Sequence, residues 1–144
     1  MFKRLFLILL VISFYACSNK PSDRNSNLPN IPVSETISLN NPQYINLQVP
    51  GGWAYVENSG IKGLIVYNLN GSDFKAYDRA CPHLSPSENC SKMNVENSIK
   101  MVCPCDNAEF NILNGAPLTT GINFGAREYR ATLVSANTVT ITNF

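Results

Sequence analysis

Between Cys81 and Gly115 the chain carries four of its five cysteines and its only histidine. Three of these cysteines and the histidine lie in two short loops, Cys81-Pro82-His83 and Cys103-Pro104-Cys105-Asp106, and Cys90 follows farther along the first. Each loop offers a thiol first and a second donor two or three residues later. Soft sulfur with a nearby imidazole is the ligand chemistry of iron–sulfur and zinc sites. Pro82 and Pro104 restrict the backbone and hold the donor side chains apart.

The sequence around these loops reads as short strands, with no long amphipathic helix. Glu35 to Leu39 alternates weakly, and Tyr44 to Val49 alternates cleanly, so both are expected as strands. Pro50-Gly51-Gly52 is a turn, and Trp53 to Glu57 is the next strand. Gly63 to Tyr67 has the composition of a buried strand. Asn70-Gly71 turns it into an alternating partner, Asp73 to Asp78, which delivers the chain to Cys81. Cys81 to Asn94 is then the first loop and Ile99 to Val102 the strand between loops. The second loop is Cys103 to Ala108, left by Phe110-Asn111-Ile112. Tyr129 to Val134 and Thr138 to Ile141 form a closing hairpin across Ser135-Ala136-Asn137. Many short strands at close spacing imply an all-β sandwich or barrel.

The first 32 residues read differently. Lys3 and Arg4 precede an apolar run from Leu5 to Ile12, and Phe14-Tyr15-Ala16 continues to Cys17. The run is too short to span a bilayer and fits an export signal. A small residue followed by cysteine at its end points to a bacterial lipoprotein signal over residues 1–17, with Cys17 the lipidated residue. Lys3-Arg4 is a faint echo of a twin-arginine leader, and the strongly apolar core favours the ordinary unfolded-chain route. Residues 18–32, rich in Ser, Asn and Pro, are expected as a flexible tether. The folded domain is then residues 33–144, placed in the cell envelope on the extracytoplasmic side. A net charge of +1 gives no basis for nucleic-acid binding. No Ser–His–Asp or phosphate-loop pattern is present, so the chain reads as a carrier or binding module rather than a catalyst.

The paired loops resemble those of the Rieske ferredoxin domain, C-x-H followed by C-x-x-H. In that family two cysteines hold one iron of a 2Fe–2S cluster and two histidines hold the other. Cys81, His83 and Cys103 fall on three of the ligand positions, and Asp106 falls on the fourth. The likeness extends from about Leu64 to the C-terminus. It includes Phe110-Asn111-Ile112-Leu113-Asn114-Gly115, the Pro117 loop, Tyr129-Arg130-Ala131 and Val139-Thr140-Ile141.

The resemblance implies a Rieske-like antiparallel sandwich or barrel with a small two-loop subdomain. It implies a 2Fe–2S cofactor on Cys81, His83, Cys103 and Asp106, an electron-transfer role and a redox partner protein. A carboxylate ligand adds negative charge, so the midpoint potential is expected below the usual range of about −150 to +300 mV. It also implies a Cys90–Cys105 disulfide bracing the loops, although four cysteines alone allow three pairings. Ser85 and Asn107 stand where the family has glycines that let backbone approach the cluster. Together with Asp106 they keep a second reading open, a cluster-free Rieske fold acting as a structural or interaction module. Zinc on the same four residues is a third.

Overall fold

The computed structural model describes residues 28–144. The expected export signal, Cys17 and most of the expected tether lie outside the described residues. Among the described residues nine strands form two antiparallel sheets: β1 (Ser34–Ser38), β2 (Trp53–Val56), β3 (Leu64–Asn68), β4 (Phe74–Asp78), β5 (Asn94–Glu96), β6 (Lys100–Cys103), β7 (Ala108–Asn111), β8 (Glu128–Ser135) and β9 (Thr138–Thr142). The large sheet runs β1-β9-β8-β4-β3-β2, and the small one runs β5-β6-β7.

β8 joins the two halves of the large sheet. Its first residues pair with β4, Tyr129 opposite Ala76, and from Arg130 onward it pairs with β9. A register shift between Leu133 and Ser135 marks a bulge, the device by which strands bend. The curled sheet encloses the main core, in which Ile37, Leu47, Val56, Leu64, Val66, Tyr129 and Ile141 pack together.

Strand periodicity explains how the small sheet is attached. Successive side chains of a strand point to opposite faces. Leu64 and Val66 of β3 therefore enter the main core, while Ile65 and Tyr67 enter a second core on the other side. β4 repeats the pattern with Ala76 on one face and Tyr77 on the other. The second core takes Cys81, Met93, Met101, Cys103, Phe110 and Ile112 from the small sheet and its loops. The middle layer is thus buried on both faces, and all five residues of β3 are buried.

Tyr44 to Val49 is not the strand its alternation implied. Pro42–Gln48 is a 3₁₀ helix, started by Pro at its first turn and capped by Asn41, whose side chain accepts from the Gln43 amide. Its buried residues, Tyr44 and Leu47, are spaced by one turn of three residues. An apolar pair at i and i+3 outweighed the alternation in between. β5 is an element the sequence did not disclose. At the other boundary, chain packed on the body begins upstream of Val33. Leu28 is buried, and the Arg127 guanidinium donates to the Leu28 and Pro29 carbonyls at 2.9 and 2.5 Å. Asn143 then holds Ile31 and Val33 through their backbones.

Candidate metal centre

The site sits where β4 ends and where β6 turns into β7. Asp78 closes β4 with a fully buried carboxylate. One oxygen accepts from the Ala80 and Lys62 amides at 2.8 and 3.3 Å. The other accepts from the Ile61 amide at 2.6 Å and the Tyr129 hydroxyl at 3.0 Å. A buried charge is tolerated only when such donors surround it. Burial, and then the Asp78 charge, push the Tyr129 hydroxyl above its ordinary range.

Arg79 secures the return of the first loop. Its side chain donates to the Met93 carbonyl at 3.0 Å, to Glu57 at 2.8 Å and to Asn94 at 3.1 Å. Its guanidinium lies 3.6 Å from the Tyr55 ring centre. Asp78 and Arg79 were not singled out from sequence as site-forming residues. Their place directly before Cys81 was the available signal.

From this base the first loop leaves at Cys81, which is fully buried. The second leaves at Cys103, also fully buried at the end of β6. Their Cα atoms are 5.8 Å apart and their sulfurs are bonded. The two cysteine positions of the ligand set are therefore a disulfide in this structure, not free thiolates. Cys90 and Cys105 form the second disulfide, with Cα atoms 5.0 Å apart, as the resemblance implied.

His83 and Asp106, the other two positions, face each other. His83 Nε2 lies 2.7 Å from Asp106 Oδ2, and the ring is tilted over Phe110 at 5.9 Å. Asp106 Oδ1 accepts from the Ala108 amide at 3.1 Å. Burial pushes the Asp106 carboxyl up. Hydrogen bonds from His83 and Ala108, with the electrostatic pull of His83, outweigh it and hold the group below the ordinary aspartate value. Asn107 has φ +59°, the left-handed region where glycine is most at home and asparagine is tolerated. Its amide donates to the Cys103 carbonyl at 2.9 Å and closes the second loop.

Donor atoms of His83, Cys103 and Asp106 all lie within 4.8 Å of one another, and Cys81 is joined through its bond to Cys103. All four sequence-designated residues thus converge on one spot. Cys90 and Cys105 lie apart from it with Glu88 as a separate cluster.

A curled antiparallel sheet, a two-faced middle layer and a three-stranded subdomain bearing paired Cys loops make this a Rieske-type ferredoxin fold. Among solved structures it resembles the plasma membrane Rieske protein of the cyanobacterium Synechocystis PCC 6803, at TM-score 0.52 and 21% identity over 78% of this chain and 98% of that one. It also resembles the ferredoxin of carbazole 1,9a-dioxygenase from Nocardioides aromaticivorans IC177, at TM-score 0.50 and 16% identity over 80% and 100% of the two chains. A complex of reduced oxygenase and oxidized ferredoxin in carbazole 1,9a-dioxygenase contains a further match, at TM-score 0.51 and 18% identity over 76% and 93%. No family model and no curated protein matches the chain.

Proposed function

We infer that the chain is a Rieske-type electron carrier of the cell envelope, anchored by lipid on Cys17 and serving a redox partner protein. The observation that carries this reading is the convergence of Cys81, His83, Cys103 and Asp106 on one spot between two braced loops. The donor set fits a 2Fe–2S cluster on one condition, that the Cys81–Cys103 bond is reduced. Cys81 and Cys103 would then hold one iron, and His83 with Asp106 the other. When bound, such a cluster supplies one-electron transfer. The chain's own contribution is the brace, the pinned loop ends and an anionic fourth donor.

A cluster-free interaction module is the second reading. The Cys81–Cys103 bond favours it, because it consumes both sulfur donors. One measurement separates them. Protein extracted from its native membrane is expected to contain iron and acid-labile sulfide in equal amounts and to absorb visible light. Colourless, iron-free protein with Cys81 and Cys103 still bonded would leave only the module.

The anchor has its own test. Cys17→Ala is expected to move the protein from the membrane to the soluble fraction or to block its processing, because several acyl chains give stable attachment. Unchanged fractionation together with an unchanged mature mass would refute lipidation.

A further inference from the structure

Two disulfides that differ in access meet at one tripeptide, Cys103-Pro104-Cys105. The inner bond, Cys81–Cys103, has both cysteines at 0% exposure, closed in by the second core. The outer bond, Cys90–Cys105, has Cys90 exposed and Cys105 half-buried. Thiol–disulfide exchange requires a thiolate to reach a sulfur of the bond it breaks. A reductant from solution meets the outer bond and not the inner one.

We propose that the Cys90–Cys105 bond is a thiol–disulfide exchange relay, through which an external dithiol opens the buried Cys81–Cys103 bond. The sequence of steps balances with a single dithiol. Its first thiolate attacks the exposed Cys90 sulfur, forming a mixed disulfide and releasing Cys105 as thiolate. Cys105 attacks Cys103, forming Cys103–Cys105 and releasing Cys81. The second thiol of the reductant resolves the mixed disulfide, leaving as a cyclic disulfide and freeing Cys90. Cys90 then attacks Cys105, restoring the outer bond and releasing Cys103. The dithiol has lost two electrons and two protons, and Cys81 and Cys103 have gained them.

The geometry supports the middle step. Residues 104–107 form a turn closed by the Asn107 amide on the Cys103 carbonyl at 2.9 Å. Cys103 and Cys105 are separated by Pro104 alone, so the middle step joins two cysteines that are next neighbours but one along the chain. Glu88 Oε2 lies 3.8 Å from Cys105 Sγ, so the outer bond borders an exposed carboxylate at the mouth of the first loop. Lys62 donates to the Glu88 carbonyl at 2.5 Å and fixes that part of the loop. The relay yields the two free thiolates that the proposed donor set requires, and only its purpose rests on that reading.

The test reads thiols, not iron, so the relay and the metal reading fail separately. Metal-free, air-oxidised full-length protein is given one equivalent of dithiothreitol, alkylated and mapped by mass spectrometry. Tags are expected on Cys81 and Cys103, with Cys90–Cys105 intact. Tags on Cys90 and Cys105 with Cys81–Cys103 intact would overturn the proposal. In the double variant Cys90→Ser/Cys105→Ser, opening of Cys81–Cys103 is expected to slow about tenfold or more. An equal or faster opening, in a variant with an unchanged circular-dichroism spectrum, would overturn it equally. Should that variant fail to fold, tags on Cys90 and Cys105 with Cys81–Cys103 intact in the wild-type chain still overturn the proposal.

Discussion

Asp78→Ala is expected to destabilise the domain by about 3–5 kcal/mol, because four hydrogen-bond donors lose their shared acceptor at once. Four donors converge on this carboxylate: the amides of Ile61, Lys62 and Ala80 and the Tyr129 hydroxyl. Each buried donor left without an acceptor costs about 1–3 kcal/mol. The Ile61 and Lys62 amides are nearer to water than the other two and recover part of that cost. Asp78→Asn should fall between wild type and alanine, since its amide nitrogen would face two donors. Urea denaturation supplies the measurement, through the midpoint at constant slope. The loss should also reach the site, because the Ala80 amide that Asp78 holds lies directly before Cys81. A shift under about 1 kcal/mol would mean that water replaces the carboxylate, and that the loop base is less buried than the structure has it.

Much of this frame was legible because strand periodicity is a local signal. β3 and β4 showed in their composition and alternation, and so did the closing hairpin of β8 and β9. Two elements were hidden for different reasons. The 3₁₀ helix at Pro42–Gln48 carries its apolar residues at positions that also satisfy a period of two in part. Asn41 and Pro42, a cap followed by a first-turn proline, were the better signal. β5 is three residues long, and its turn into β6 places Asn97 and Ser98 at φ +51° and +58°. Primed turns of that kind are announced by Asn-Gly, and Asn-Ser does not announce one. The site divides in the same way. Donor residues were legible because cysteine and histidine are chemically distinctive. The bond between Cys81 and Cys103 was not, because pairing depends on where a fold brings two loops, and spacing does not encode that. Asp78 and Arg79 were passed over because a charged pair at a strand end looks like surface until its burial is known.

Asp106→His carries the largest expected change at the site itself. In the wild-type chain this position presents an anion, 2.7 Å from His83 and held below the ordinary aspartate range in the balance described above. Histidine there presents a neutral imidazole and completes a set of two cysteines and two histidines, the set used by Rieske centres. The substitution loses the bond to the Ala108 amide, at a cost of about 0.5–1.5 kcal/mol, which the disulfide brace should absorb. After reduction of Cys81–Cys103 and reconstitution with iron and sulfide, the variant is expected to retain more iron than wild type. Its midpoint potential is expected to be higher than that of any wild-type cluster, because removing a negative ligand destabilises the oxidised state relative to the reduced one. Asp106→Ala should do neither, since it removes the charge without supplying a donor. Iron content by elemental analysis and potential by redox titration separate the effects. If wild type starts with iron, the change appears in the potential. If it starts without, the change appears in iron retention. With reduction of the inner bond verified by alkylation, a variant that changes neither quantity would show that the two loops do not share one ion-sized space. The four-donor site would then have to be abandoned, and with it the electron-carrier reading.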